Sequence, residues 1–507
     1  METELKFEVD AAAARRLSEN LALSAKGGVR KLRSIYYDTP GADLRTQGYA
    51  LRIRDDGGRK TQTLKHSGAG MGFRREEWEI EVTGPGPDLD ADTPLGEVLN
   101  KRDAAQLAPA FEVDVERATR ELAVDGGVIE VALDRGVVSA GGAGEPVLEL
   151  ELELKKGSPR ALFALARDLS GVAALNLSFA SKSGRGYALM DGESLAPIHA
   201  VDPALSHGDD AASAFKAIAG AALAQIADNA RVLRRVRRIE ALHQLRVGAR
   251  RLRSAISLFK PMLADGRVEH IKTELKWLTH ELDDARNLDV FIAGTFRVAA
   301  RRHGDWIGLA QLGKALLGAQ TKAYDRAEAA VSAERFRALL LEAAAWIETG
   351  PWSTTRSGVI AALRSRPIEV AARQILSERR KKVIKRGRKL DHLEPHARHQ
   401  LRIEIKKLRY ATGFFGGLYG DKRAKAHERF SQVMSQLQDC LGELTDLTAA
   451  SGLTAKLADA DAHGAETAAQ LAFAAGLVEG ERQTSYGRTM KAAGRAFRKF
   501  RRAEAYW

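Results

Sequence analysis

Cysteine is almost absent from this chain: Cys440 is the only one in 507 residues. A single thiol builds neither a disulfide framework nor a cysteine-rich zinc site, and the usage suits a reducing compartment. Aromatic residues make up only 6%, which argues against the base-stacking platforms of single-stranded nucleic-acid binders. No zinc-finger spacing or RNA-binding signature is found either. No uninterrupted apolar run reaches the length of a bilayer span. The N-terminus carries Glu2 and Glu4 without a basic flank or an apolar core, so no secretory leader is expected there. A cytoplasmic protein without a membrane partner is the expectation.

What is abundant is positive charge, unevenly placed. The net charge of +13 divides into −6 over residues 1–200 and +19 over residues 201–507. At this length more than one core is expected, and two parts of opposite sign would meet different partners. The basic part contains a repeat. His243-Gln244-Leu245-Arg246-Val247-Gly248-Ala249-Arg250-Arg251-Leu252-Arg253 returns 156 residues later as His399-Gln400-Leu401-Arg402-Ile403-Glu404-Ile405-Lys406-Lys407-Leu408-Arg409. On a helix, His243, Arg246, Arg250 and Arg253 step by three, four and three and form one stripe; His399, Arg402, Lys406 and Arg409 do the same. Neither histidine has a second histidine or a carboxylate at i+3 or i+4, so a metal site is not indicated. A row of cations suits a polyanion, and without aromatics that polyanion is better read as a polymer that is all backbone than as nucleic acid. Pro261 is expected to stop the first stripe helix and Pro395 to start the second. The repeat predicts a duplicated unit of about four helices per copy. The densest cationic run, Arg379–Lys389, offers Lys381, Lys382 and Arg386 as rim contacts.

Residues 1–190 read differently. Alternation predicts strands over Glu2–Val9, Tyr49–Arg54, Thr61–Lys65, Glu77–Val82, Val128–Asp134 and Val147–Lys155, with helices over Ala11–Leu23 and Pro159–Leu169. The polar faces of these strands repeat one sign: Arg52 with Arg54, and Glu149 with Glu151 and Glu153. If the strands close into a barrel, the inward residues are Lys6, Arg52, Arg54, Lys65, Arg75, Arg117, Lys182 and Arg185 against Glu2, Glu4, Glu77, Glu130, Asp134, Glu149 and Glu151. So many ions cannot be buried dry, since each costs several kcal/mol to desolvate. A wet tunnel holds them: cations grip phosphoryl oxygens, and carboxylates hold an oxygen-seeking Mg²⁺ or Mn²⁺. A solvated outer face is the ordinary alternative for each strand taken singly.

Glu2-Thr3-Glu4-Leu5-Lys6 resembles the Glu-x-Glu-x-Lys signature of the CYTH superfamily, the triphosphate tunnel metalloenzymes. It is accompanied by Ile35-Tyr36-Tyr37-Asp38-Thr39-Pro40, Leu51-Arg52-Ile53-Arg54, Leu64-Lys65, Ile129-Glu130-Val131-Ala132-Leu133-Asp134, Glu149-Leu150-Glu151-Leu152-Glu153 and Ser181-Lys182-Ser183-Gly184-Arg185-Gly186-Tyr187. The resemblance implies an eight-stranded antiparallel tunnel that cleaves inorganic triphosphate to pyrophosphate and phosphate. It implies Glu2, Glu4, Lys6 and Lys182 as catalytic residues, and Glu2, Glu4, Asp134, Glu149 and Glu151 as metal ligands. Lys6, Arg52, Arg54, Lys65, Arg75, Arg117, Lys182 and Arg185 would contact substrate.

The two His-Gln-Leu-Arg strings, with Asp284-Ala285-Arg286-Asn287-Leu288-Asp289-Val290 and Leu437-Gln438-Asp439-Cys440-Leu441-Gly442-Glu443-Leu444-Thr445-Asp446, resemble the CHAD domain. That implies two pseudo-symmetric four-helix bundles and a basic groove for inorganic polyphosphate. The expected organisation is an α+β multidomain chain: a tunnel domain over 1–195, a linker over 196–212 and a helical domain over 213–507. Polyphosphate granules are the place in the cytoplasm where such a pair would meet. The rival readings are a polyphosphate scaffold without enzymatic activity, and a tunnel acting on thiamine triphosphate or a nucleoside triphosphate. The oligomeric state is not set by the sequence.

Overall fold

The computed structural model describes residues 2–23, 28–66, 73–84, 86–89, 92–303, 307–458 and 465–507, without the side chains of Glu2, Arg74, Arg75, Lys101, Ile307, Asp421 and Lys422 or of most positions between 445 and 485. Among the described residues one antiparallel sheet has nine strands: β1 (Glu2–Glu8), β2 (Val29–Asp38), β3 (Tyr49–Asp56), β4 (Arg59–His66), β5 (Arg74–Val82), β6 (Ala108–Val124), β7 (Gly127–Ala140), β8 (Ala143–Lys156) and β9 (Asn176–Leu177). Their order is β5-β4-β3-β2-β6-β7-β8-β1-β9, and β1 also pairs with β5. The first eight strands therefore form a ring, and the two-residue β9 lies outside it against β1.

The ring has inverted polarity. Apolar residues of β1 and β8 face outward: Leu5, Phe7, Leu150 and Leu152 are at most 1% exposed and join a core with the longer helices α1 (Ala11–Asn20) and α2 (Pro159–Val172). On the far side Leu51, Ile53 and Leu64 of β3 and β4 pack with Leu44, Leu95 and Leu99. With the apolar face turned out beneath helices, alternation sends the charges of each strand inward.

Two long strands, β2 and β6, lie where the alternation of the sequence predicts none. Polar residues occupy both faces there. On β2, Arg33 points out to Glu112 of β6 at 2.8 Å, while Tyr36 points in, so no apolar stripe signals the strand. The short helix α3 (Lys182–Met190) also lies outside the sequence expectation. It sits against β6, β7 and β8, and Gly186 permits the approach: a Cβ there would lie 2.2 Å from the Phe111 ring.

The rest of the described chain is helical: α4 (Ala211–Arg235), α5 (Ile239–Leu258), α6 (Arg267–Glu281), α7 (Asp283–Phe291), α8 (Ile307–Ser332), α9 (Glu334–Thr349), α10 (Ile368–Gly387), α11 (Pro395–Phe415), α12 (Gly420–Ala458) and α13 (Ala465–Arg502), with shorter helical turns between. Pro395 does open α11, and a 3₁₀ turn at Lys260–Met262 ends the run of α5. The repeated strings fall on α5 and α11, which pack on each other. Between Asp191 and Asp209 the chain has neither helix nor strand. It is nevertheless held down: Asn229 on α4 exchanges two hydrogen bonds with the backbone of Ile198, and Asp202 pairs with Arg251 at 2.7 Å. No helix of the described residues is long and apolar enough to cross a membrane.

Candidate active site

The register of the ring decides which side chains meet inside it. Glu4 stands opposite Glu153, Lys6 opposite Glu151 and Glu8 opposite Glu149. Glu130 faces Glu153, Asp134 faces Glu149, and Arg117 faces Asp134. Around the other half, Tyr36 faces Arg52, and Lys65 faces Glu77. Directly opposed residues share a face, so one wall of the ring is mainly acidic and the other mainly basic. Between them lies a cavity of about 550 Å³, lined among others by Glu4, Lys6, Arg52, Arg54, Lys65 and Arg117, with Lys182 at its floor.

Lys182 gets there by a local device. Ser181 accepts a hydrogen bond from the Gly184 N–H at 2.9 Å and caps α3, so Lys182 is its first residue and Arg185 follows one turn later on the same face. A lysine at a helix N-terminus opposes the macrodipole. Three carboxylates offset this: Lys182 Nζ lies 2.8 Å from Asp134, 2.9 Å from Glu149 and 2.9 Å from Glu151. Burial penalises the ammonium, but the three acids outweigh it and raise its pKa. Glu151 is the hub of the floor. It also lies 3.2 Å from Lys6 and 2.5 Å from Arg117. Burial would raise its pKa, yet Lys182, Lys6 and Arg117 hold it well below the usual carboxylate range. Oxygens of Asp134, Glu149 and Glu151 come within 4.8 Å of one another, a spacing and chemistry fit for a hard cation. The cation among them here is the Lys182 ammonium, braced by Arg117 on Asp134 and by Arg185 on Glu149.

Two arginines of the basic wall keep donors without acceptors. Arg52 and Arg54 each bury an Nε that has no hydrogen-bond partner. Burial, with Arg52 and Arg117 close by, pushes Arg54 down to about 10. Burial would raise the Tyr36 phenol, but Arg52, Arg54 and Lys182 outweigh it and lower its pKa. Crowded cations with unsatisfied donors suit an anion.

The helical stripes are built otherwise. Arg246 donates to the Leu282 carbonyl at 3.0 Å and pairs with Asp283 at 2.6 Å. His243 Nδ1 and the Nε atoms of Arg250 and Arg409 are buried without a hydrogen-bond partner. Burial and the positive Arg286, Arg250 and Arg246, only partly opposed by Glu240, push His243 down to about 4. His399 is lowered for the same reasons, by burial and by Arg402 and Lys406. Near pH 7 both histidines are neutral, so the charge of each stripe is carried by its arginines and lysine.

Residues 1–187 match the model of the CYTH domain, and residues 217–455 match that of the CHAD domain. The chain joins a CYTH domain to a CHAD domain. A curated relative, the inorganic triphosphatase of Haemophilus influenzae, is 32% identical over 164 residues, 31% of this chain. The match takes in 46% of that protein, so the chain spans about half the length of the curated relative. The crystal structure of the CHAD domain from the plant Ricinus communis matches with 28% identity and a TM-score of 0.51, over 60% of this chain and 96% of that one.

Within the CYTH domain the cavity gathers Glu4, Lys6, Arg52, Arg54, Lys65, Arg117, Glu151 and Lys182 of the residues singled out in the sequence. Asp134, Glu149 and Arg185 do not line it. They are buried at 0%, 0% and 3% exposure; Asp134 pairs with the cavity-lining Lys182 and Arg117, and Glu149 with Lys182 and Arg185. The side chains of Glu2 and Arg75 lie outside the described residues, although their backbones are opposed in the β1–β5 ladder. Glu153, a carboxylate without an assigned role in the sequence, lines the cavity with Glu130. Tyr36 both stacks on Phe111 with ring centroids 4.6 Å apart and lines the cavity. Alternation continued one step along β1 would have found Glu8, which shares the face of Glu4 and Lys6. In the CHAD domain, Arg253 and Arg402 are half-buried on their stripes with Lys406, while His399 is exposed. Lys381, Lys382 and Arg386 are exposed on α10.

Proposed function

We propose that the CYTH domain hydrolyses inorganic triphosphate to pyrophosphate and phosphate with Mg²⁺ or Mn²⁺, and that the CHAD domain binds inorganic polyphosphate. The observation that carries the first half is the two-signed cavity. Arg52 and Arg54 bury donors that await acceptors, and an acidic wall faces them. The name of the Haemophilus relative supports the same substrate. In this reading Lys6, Arg52, Arg54, Lys65, Arg117 and Lys182 grip phosphoryl oxygens and hold the triphosphate straight for in-line attack. Glu4 and Glu151, with Glu130 and Glu153 beside them, hold the metal. Asp134 and Glu149 keep Lys182 and Arg185 in place. The metal, when bound, neutralises phosphate charge and acidifies a water. Apolar or aromatic lining is limited to Leu32, Tyr36, Ile80 and Ala132, and the Tyr36 ring is already stacked on Phe111. Such a cavity favours an inorganic triphosphate over a nucleotide or a thiamine ester. The test is phosphate release from triphosphate, pyrophosphate, ATP, thiamine triphosphate and long-chain polyphosphate, each with and without divalent metal. Triphosphate turnover that needs metal is expected; no turnover of any of them would leave a binding scaffold.

For the CHAD domain, the two stripes on contacting helices, with the buried Nε donors of Arg250 and Arg409 lacking acceptors, suit a chain of phosphates. The exposed Lys381, Lys382 and Arg386 would add rim contacts. Competition between polyphosphate and duplex DNA at physiological salt tests this. Non-specific DNA binding falls steeply with salt, and displacement of polyphosphate by DNA there would count against the reading.

A further inference from the structure

One turn of α4 grips both flanks of α3, the helix that carries Lys182 and Arg185. Before α3, the Phe179 N–H donates to Asp228 at 3.1 Å. After it, the fully buried Asn229 closes a two-bond clamp on Ile198, with bonds of 2.8 and 3.0 Å. Arg231 of the same turn reaches inside the ring. Its Nε donates to Glu8 at 2.7 Å, and its Nη2 donates to Glu145. Arg185 Nη2 lies 3.1 Å from the same Glu8 oxygen and 2.5 Å from Glu149. Glu149 lies 2.9 Å from Lys182. Arg231, Glu8, Arg185, Glu149 and Lys182 are each no more than 8% exposed. A continuous file of buried ions thus runs from a helix of the CHAD side to the floor of the CYTH cavity.

We infer that Arg231 is a positioning residue for the tunnel: through Glu8 and Arg185 it fixes Glu149 and Lys182, so the helical domain helps assemble the site that acts on triphosphate. This deepens the reading of the tunnel given above and rests on it. The physical reason is competition for Arg185. Glu8 and Glu149 both draw on one guanidinium. Arg231, with Arg235 at 3.4 Å and Arg234 at 3.7 Å, satisfies Glu8 and leaves Arg185 to Glu149. Without Arg231, Glu8 draws Arg185 away, Glu149 leans on Lys182, and the ammonium is displaced from the cavity floor. A contact that merely glued two domains together would not have to end on Lys182.

The test uses the full chain and two readouts. Arg231→Gln is compared with Arg231→Lys, which keeps the charge, and with Arg237→Gln, which breaks an ion pair to Asp325 and Glu328 inside the helical part. The first readout is amide hydrogen exchange over Ser181–Met190. We expect faster exchange there in Arg231→Gln and wild-type exchange in Arg237→Gln. The second is steady-state hydrolysis of triphosphate with Mg²⁺. We expect kcat to fall about tenfold or more in Arg231→Gln with KM changed less than threefold, partial recovery in Arg231→Lys, and wild-type values in Arg237→Gln. Glu8→Gln and Arg231→Gln should also be non-additive in kcat. Unchanged exchange over α3, or raised exchange with wild-type kcat, overturns the inference. Equal losses in kcat for Arg231→Gln and Arg237→Gln do so as well. If the wild-type chain hydrolyses no triphosphate, the reading of the tunnel fails, and exchange alone decides whether α4 holds α3 in place.

Discussion

The tunnel and the helical stripes are both rows of cations, but they manage their charge in opposite ways. In the tunnel nearly every cation meets a carboxylate: Lys182 touches three, Arg117 two, and Lys65 lies 2.9 Å from Glu77. In the first stripe, Arg246 has Asp283, and the neighbours of His243 are chiefly other cations. The tunnel builds both signs from strands, because opposed register brings residues of several strands to one face. The stripe builds one sign from a single helix by a three-four-three step. A two-signed cavity suits a metal together with an anion, whereas a one-signed row suits an anion alone.

The largest separation between the two regions should come from Glu4→Ala. Metal-dependent triphosphate hydrolysis is expected to fall on the order of 10²–10³-fold, the usual loss for a preorganised electrostatic group. Polyphosphate binding, followed by calorimetry, should be unchanged. Lys182→Met tests the buried floor. It takes one cation from three carboxylates, two of them fully buried, while Arg117, Lys6 and Arg185 remain as partners, so it should destabilise the chain in denaturant unfolding by less than the about 3–5 kcal/mol of a wholly unpaired buried ion. The deficit should shrink as the pH is lowered, because a carboxylate whose pKa has risen on losing a cation can take up a proton. A third variant, Arg250→Ala with Arg409→Ala, should weaken polyphosphate binding and flatten its log–log salt dependence by roughly one to two, with triphosphate turnover unaffected. The smallest effect is expected outside the ring. Arg33→Ala removes a bidentate contact to Glu112 on the outer face, and melting temperature and turnover should both stay at wild-type values.

How much of this could be read in the sequence follows from the same contrast. The stripes were fully legible, since helical spacing is local and the repeat marked both copies. The inward charges of β1, β3 and β8 were legible too, because their other faces are apolar and give the period. β2 and β6 were not, since polar residues on both faces erase the alternation, and nothing local says that Tyr36 turns in and Arg33 out. The mutual pairing of Lys182, Asp134 and Glu149 was also hidden. It depends on a capped helix of nine residues that enters the ring from outside, which no strand pattern encodes. Arg231 lay further out of reach, separated from Glu8 by most of the tunnel sequence and assigned to the other domain.

The most direct test of the division between a two-signed and a one-signed site is a single titration series. Triphosphate and long-chain polyphosphate are each added to the full chain, first with Mg²⁺ and then with the metal chelated, and phosphate release is recorded beside binding. Triphosphate should yield pyrophosphate and phosphate only with metal, while polyphosphate should bind in both conditions. Undiminished phosphate release after chelation, or loss of polyphosphate binding with the metal, would contradict it.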